Sequence, residues 1–290
     1  MRGLAEFIMR GRWQALAVAV LGAGSLLFGW LSAAAVALVT LRKGLAEGTW
    51  LVFWALLPAF LAAWASGDIG GIVLLLGTYV VAVVLRTTVS LALALLVAAA
   101  VGLLSGAGLL LFSGEFLEQL VVLFDGFIAE LENSLPAGET APALVTPTAP
   151  QVAGILAAGN AATIVLSLLL ARYWQAALFN PGGFREEFHQ LRLPLPATVF
   201  LVVLAGGVWV SEPAVSGWAM VLAVPVMFSG FALFHAWIAR TGRGNGSVVI
   251  FYLLWLLIDP LKGLVLGVAV ADAVMDFRRR WTLPPPDGEA

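Results

Sequence analysis

The chain has 290 residues, of which 61% are hydrophobic and 11% charged, with a formal net charge of −2 and a mean hydropathy of +1.01. Soluble domains carry roughly 25% charged residues, and the deficit here runs the length of the chain, which excludes a soluble domain with one anchor. The small net charge supplies no basic field for nucleic acid, and the lack of cysteine excludes disulfides, thiolate metal sites and cysteine nucleophiles.

Apolar runs recur from Trp13 to Phe277, and about 20 such residues cross a bilayer as a helix. Stretches such as "SLALALLVAAAVGLLSGAGLLLF" (90–112) are apolar on all sides, unlike the short alternating strands of a membrane barrel. The expected fold class is all-α, a polytopic transmembrane helix bundle.

In chain order, Arg2, Arg10 and Arg12 precede an apolar run over 13–41, and small residues follow near 32–35. A cleaved signal peptide has that pattern, but in a many-span protein the first helix serves as its own insertion signal. Clear spans follow at 50–67, 69–86 and 88–112, closing an N-terminal transmembrane unit, 1–112. Segment 113–150 is polar. In "GEFLEQLVVLFDGFIAELENSL", Phe116, Leu120, Leu123, Phe127 and Leu131 share one face while Glu118, Asp125 and Glu132 share another, which predicts an extracytoplasmic amphipathic helix. The Pro/Thr/Ala stretch after it reads as a flexible linker.

The C-terminal unit, 151–281, holds spans at 151–172, 195–211 and 214–239. Between them, "NPGGFREEFHQLRLPLP" reads as an interfacial linker or a docking surface, with Phe184, Phe188 and Leu191 on one face of a short helix. Segments 13–41 and 247–277 are too long for one comfortable span and short for two. Folding each as a hairpin, with turns at Gly29-Trp30 and Asp259-Pro260, puts every basic cluster except Lys262 on the cytoplasmic side, as the positive-inside rule requires. About ten short spans with both termini cytoplasmic follow, against eight if the long segments are single kinked helices. The Pro-rich tail, 282–290, is expected to be disordered.

Motifs are sparse. There is no Walker A, HExxH, GxSxG or GxGxxG pattern, so neither P-loop ATP hydrolysis nor a zinc protease is indicated. The two histidines, His189 and His235, lie in different segments, which argues against a histidine metal site; His235 suits packing or hydrogen bonding. No cofactor and no enzymatic activity are expected. Small residues at four-residue spacing let helices approach closely; Ala15/Ala19/Ala23, Gly44/Gly48 and Gly263/Gly267 are the candidates for helix packing or partner docking. Arg42, Arg86 and Arg172 at span ends suit snorkelling. Asp276 suits a pair with Arg279 or Arg280, and Asp259 with Lys262. Ionisable or polar groups within spans are candidate functional groups, so Asn160, Asp259, Lys262 and Asp272 form the candidate ligand-binding set. Trp13, Trp30, Trp50, Trp174, Trp237 and Trp281 fall near span ends, as an interfacial aromatic belt would.

Three segments carry a resemblance. "LVTLRKGLAEG" is similar to a segment of bacterial membrane proteins related to the substrate-binding components of energy-coupling-factor vitamin transporters. "FREEFHQLRLP" and "LGVAVADAVMDFRRR" resemble segments of the YybS-like family of bacterial membrane proteins of unknown function. The resemblance implies a multi-pass protein of the bacterial cytoplasmic membrane with cytoplasmic termini. It makes Ala15, Ala19 and Ala23 the positions matching the docking face of the transporter components, although this chain is longer than they are. Two functional expectations remain. One is binding or transport of a metabolite or lipid-like small molecule without an ATPase of its own. The other is a non-catalytic scaffold for other membrane proteins. The lipid bilayer is a partner in either case.

Overall fold

The computed structural model describes residues 2–25, 27–134 and 145–282. Among these the secondary structure is helical throughout, with no strand. The helices are α1 (Arg2–Arg10), α2 (Arg12–Ala23), α3 (Gly29–Lys43), α4 (Leu45–Ser66), α5 (Gly70–Thr88), α6 (Leu91–Phe112) and α7 (Gly114–Asn133). They continue with α8 (Ala149–Phe179), α9 (Gly183–Gln190), α10 (Leu195–Ser211), α11 (Ser216–Arg240), α12 (Asn245–Leu257), α13 (Asp259–Met275) and α14 (Phe277–Thr282).

Among the described residues five segments are long and apolar enough to cross a membrane: α4, α5, α6, α8 and the stretch Pro213–Arg240 containing α11. Counting the bent pairs α9–α10 (63°) and α12–α13 (115°) as one crossing each gives up to seven. This corrects the expected eight to ten. Both ambiguous segments do fold back, but α2, α3, α12 and α13 have only 12, 15, 13 and 17 residues, short of the ~20 needed to span hydrocarbon. The first reversal also comes earlier than expected, ahead of Gly29, which already opens α3; the second falls at Ile258, just ahead of Asp259-Pro260.

The 31-residue helix α8 is the centre of the molecule, packed against α3, α5, α6 and α11. Small residues permit this. A Cβ on Gly102 of α6 would lie 2.8 Å from Ala161 Cβ and 2.9 Å from Val221 Cγ1, and one on Gly154 would lie 2.7 Å from the Gly217 backbone. Such close approach substitutes dispersion contact and backbone fit for the hydrophobic drive that lipid does not provide. Local caps set the register. Ser90 accepts the Leu93 N–H at 3.2 Å to start α6. Thr148 and Gln151 form a reciprocal capping box at the start of α8. Gln151 Nε2 also donates to the Pro213 carbonyl at 2.6 Å, and Trp218 Nε1 to the Pro150 carbonyl at 3.0 Å. These bonds tie the first turns of α8 and α11 together.

Ala15 and Ala19 are buried, with Ala23 partly buried beside them, and Ser32 Oγ donates to the Ala19 carbonyl at 2.6 Å. That face is therefore occupied by α3 of the same chain. Gly44 and Gly48 do not form one helix face. Gly44 turns α3 into α4 with φ +107, a region L side chains avoid, while Gly48 packs on Thr40, whose Oγ1 would overlap an added Cβ. Gly263 and Gly267 differ from the packing expectation: a Cβ on either meets nothing within 4 Å, and both face outward on α13. Trp174 leaves the expected aromatic belt, being fully buried. In α7 only the first part of the apolar face packs, through Phe116, Leu117 and Leu120, while Leu123 and Phe127 are exposed. Residues 135–144 of the linker and 283–290 of the tail lie outside the described residues.

Candidate functional site

The end of α13 gathers charge from two distant parts of the chain, Arg192 and residues 272–278, and packs it against α11. Asp272 is fully buried one turn before the helix ends. Its Oδ1 accepts the Phe277 N–H at 3.1 Å. Its Oδ2 lies 3.3 Å from Arg278 Nη1, an ion pair by distance that lacks hydrogen-bond geometry. Arg278 Nη2 donates to the Ser229 carbonyl on α11 at 3.3 Å. Burial pushes the Arg278 guanidinium below its ordinary value, against the opposing effect of Asp272. The chain turns at Asp276, a non-glycine residue at φ 51. This left-handed turn carries its carboxylate to Arg192, 2.7 Å away, instead of to the Arg279 or Arg280 side chains expected from spacing; the Arg279 backbone N–H donates to its other oxygen at 3.3 Å. Arg192 also donates to the Ala273 carbonyl at 2.8 Å, one of the carbonyls a helix end leaves unpaired.

Helix α9 closes this junction. Four ionisable side chains in eight residues disfavour its burial in hydrocarbon, so α10 is the apolar part of the bent pair α9–α10. Phe188 and Leu191 are buried as the sequence pattern requires, and Phe184 packs beside them. Glu187 pairs with Arg172 of α8 at 2.8 Å. Desolvation pushes the Glu187 carboxyl above its ordinary value, against the opposing effect of Arg172. The fold brings together the two histidines that the sequence separates: their ring centroids are 6.5 Å apart. His235 Nε2 shares a hydrogen bond with Tyr252 Oη at 3.1 Å. Burial, followed by the positive charge of Arg185, pushes the His189 imidazole down. Among the described residues no three His, Asp, Glu or Cys side chains group as metal ligands.

Beside the junction lies an apolar groove of about 360 Å³ between α11, α12, α13 and α14. Trp237, Phe234, Phe251, Val268, Phe277 and Trp281 line it. Gly230 lets α13 approach α11, since a Cβ there would lie 2.7 Å from Val265 Cγ1. Arg243 sits over the Trp237 ring at 4.6 Å, adding one cation near the apolar wall. Asp272 acts on the groove indirectly: by holding the Phe277 N–H it places the helix that carries Phe277 and Trp281.

The four candidate ligand residues do not converge. Asp259 and Lys262 pair with each other at the start of α13, about 20 Å of helical rise from Asp272. Asn160 lies at the α8–α6 contact and donates to Ser105 Oγ at 3.4 Å. Arg86, expected to snorkel, instead donates to the Thr40 and Leu41 carbonyls and caps α3. Sequence reasoning missed Arg192 and Arg278 as junction residues and the groove as a whole. The signal available for Arg278 was its distance of six residues from a buried acid; nothing local marked Arg192. No family model, no curated protein and no solved structure matches this chain.

Proposed function

We propose that this chain is a multi-pass protein of the bacterial cytoplasmic membrane that binds or transports a lipid-like small molecule in the α11–α14 groove, without an ATPase or other catalysis of its own. The observation that carries the reading is the aromatic-lined groove of about 360 Å³, within the size range of small-molecule sites and apolar as they are. The ionic junction supports it by fixing one wall. Cytoplasmic termini remain part of the reading: they require an even number of crossings, six when the 63° pair α9–α10 crosses and the 115° pair α12–α13 turns back, and the grouping of basic residues supports that arrangement. Kinship with the YybS-like family is also part of the reading, resting on the resemblance of the segments "FREEFHQLRLP" and "LGVAVADAVMDFRRR".

The test is photolabelling of the full-length protein in detergent with a diazirine-bearing fatty acid, followed by peptide mapping. Label should concentrate on α11–α14, and Val268→Trp, which fills the groove from a part-exposed position, should remove it. Labelling spread evenly over all lipid-facing helices would refute the reading. A periplasm-active reporter fused after Ala290 should be silent; activity there overturns the orientation. The scaffold reading has one observation in its favour, the outward Gly263–Gly267 face of α13, which suits close docking of another helix.

A further inference from the structure

At the other end of the sequence, α1 packs against α2, α3 and α8. Ala5 and Ile8 are buried while Arg2, Glu6 and Arg10 are exposed, so the helix is amphipathic. Together with the end of α3 and the end of α8 it borders a shallow, open recess of about 740 Å³. Its polar lining is Arg2, Arg10, Arg42, Lys43 and Glu6. Four cations face one acid, and that acid is already engaged by Arg2 at 3.0 Å. Among the described residues no carboxylate lies within 4 Å of Arg10, Arg42 or Lys43. The apolar lining is Met9, Leu178 and Phe179. Arg42 lies over the Phe179 ring at 4.0 Å, an arrangement that holds a guanidinium in place without neutralising it.

We propose that this recess binds the headgroup of an anionic phospholipid. Arginine forks match phosphate oxygens in two-point hydrogen bonds. Basic pockets between helix ends at a membrane surface are suited to acidic headgroups, and an amphipathic helix with cations on its polar side belongs at that depth. A lining that joins four cations to Met9, Leu178 and Phe179 fits an amphiphile better than a free anion, which would gain nothing from the apolar side chains. The site is separate from the α11–α14 groove, and filling that groove with Val268→Trp leaves it untouched.

The experiment is native mass spectrometry of the full-length protein in detergent, titrated with phosphatidylglycerol, phosphatidylcholine or inorganic phosphate. Phosphatidylglycerol should be retained in preference to phosphatidylcholine, and phosphate at equal concentration should not displace it. Each cation near a membrane surface contributes such that its loss lowers retention about fivefold. Arg42→Gln should show that loss, and Arg42→Gln with Lys43→Gln roughly 25-fold if the two act independently. Should the double variant not fold, two single changes at exposed positions carry the test in opposite directions: Arg10→Gln lowers retention and Glu6→Gln raises it. Arg185→Gln removes an equal charge outside the recess and should change nothing. Equal retention of the two lipids, or an Arg185→Gln loss as large as that of Arg42→Gln, overturns the proposal. Displacement by inorganic phosphate assigns the recess to a soluble anion instead and also overturns it.

Discussion

Arg192 Nη1 lies 2.7 Å from Asp276 Oδ2, joining the segment between α9 and α10 to the turn between α13 and α14. The same guanidinium holds the Ala273 carbonyl. Both partners are about one-third exposed, so solvent weakens the pair. Arg192→Gln should lower stability by about 1 kcal/mol through the lost pair and carbonyl contact. A double-mutant cycle with Asp276→Asn, read by thermal unfolding in detergent, checks it; strict additivity would show that the two residues do not interact.

Asp272 is the more demanding position. Its side chain is 1% exposed and that of Arg278 14%. Removing one partner of a buried pair costs about 3–5 kcal/mol where the other charge is left uncompensated. Asp276 also acts on Arg278, so Asp272→Ala should cost about 3 kcal/mol, the lower end of that range. Asp272→Asn keeps an acceptor for the Phe277 N–H and should cost less. If thermal unfolding finds the two variants equally damaged, the hydrogen bond to Phe277 contributes nothing and α14 is positioned by other contacts.

The depressed His189 pKa gives a pH dependence. Its folded value lies below the ordinary 6.5, so its contribution to stability is present above pH 6.5 and is lost as pH falls through the folded value. The apparent unfolding temperature should therefore drop on going from neutral to mildly acidic buffer. His189→Asn cannot acquire the charge and should show a shallower drop. An unchanged slope in that variant would remove His189 as a contributor.

Two glycines provide opposite expectations. Gly102→Ala forces a Cβ against Ala161 and Val221 and should cost about 1–3 kcal/mol by overpacking. Gly267→Ala meets nothing within 4 Å and should gain up to about 1 kcal/mol from helix propensity. Thermal unfolding of the two variants side by side checks both; equal effects would contradict the packing at the α6–α8–α11 contact.

Hydropathy was enough to locate α5, α6, α10 and α11, because burial in lipid demands continuous apolar stretches whatever the neighbours. It was not enough to count crossings, since α2, α3, α12 and α13 are apolar but short, and apolarity does not distinguish a crossing from a bent pair. The residues at the junction were partly legible. Asp272 stood out because a carboxylate within a span needs a partner. Its partner, and that of Asp276, depended on a left-handed turn at a non-glycine residue and on an arginine remote in sequence, neither of which has a local signature. Small-residue spacing was only partly informative. Ala15, Ala19 and Gly48 pack within the chain, Gly263 and Gly267 match the pattern and meet nothing within 4 Å, and Gly102 and Gly154, which stand in four-residue series of their own, sit at close contacts between helices. Spacing says only where an approach is permitted, and the partner helix decides where it occurs.

The bonds from Gln151 and Trp218 fasten α8 to the start of α11 at one end, and the Arg172–Glu187 pair fastens its far end to α9. A central helix held at its start to α11 and towards its far end to α9 cannot slide lengthwise past both without breaking those contacts. With α8 and α11 as a fixed post, α13 and α14 can shift only if the Arg192–Asp276 and Arg278–Ser229 contacts give way first.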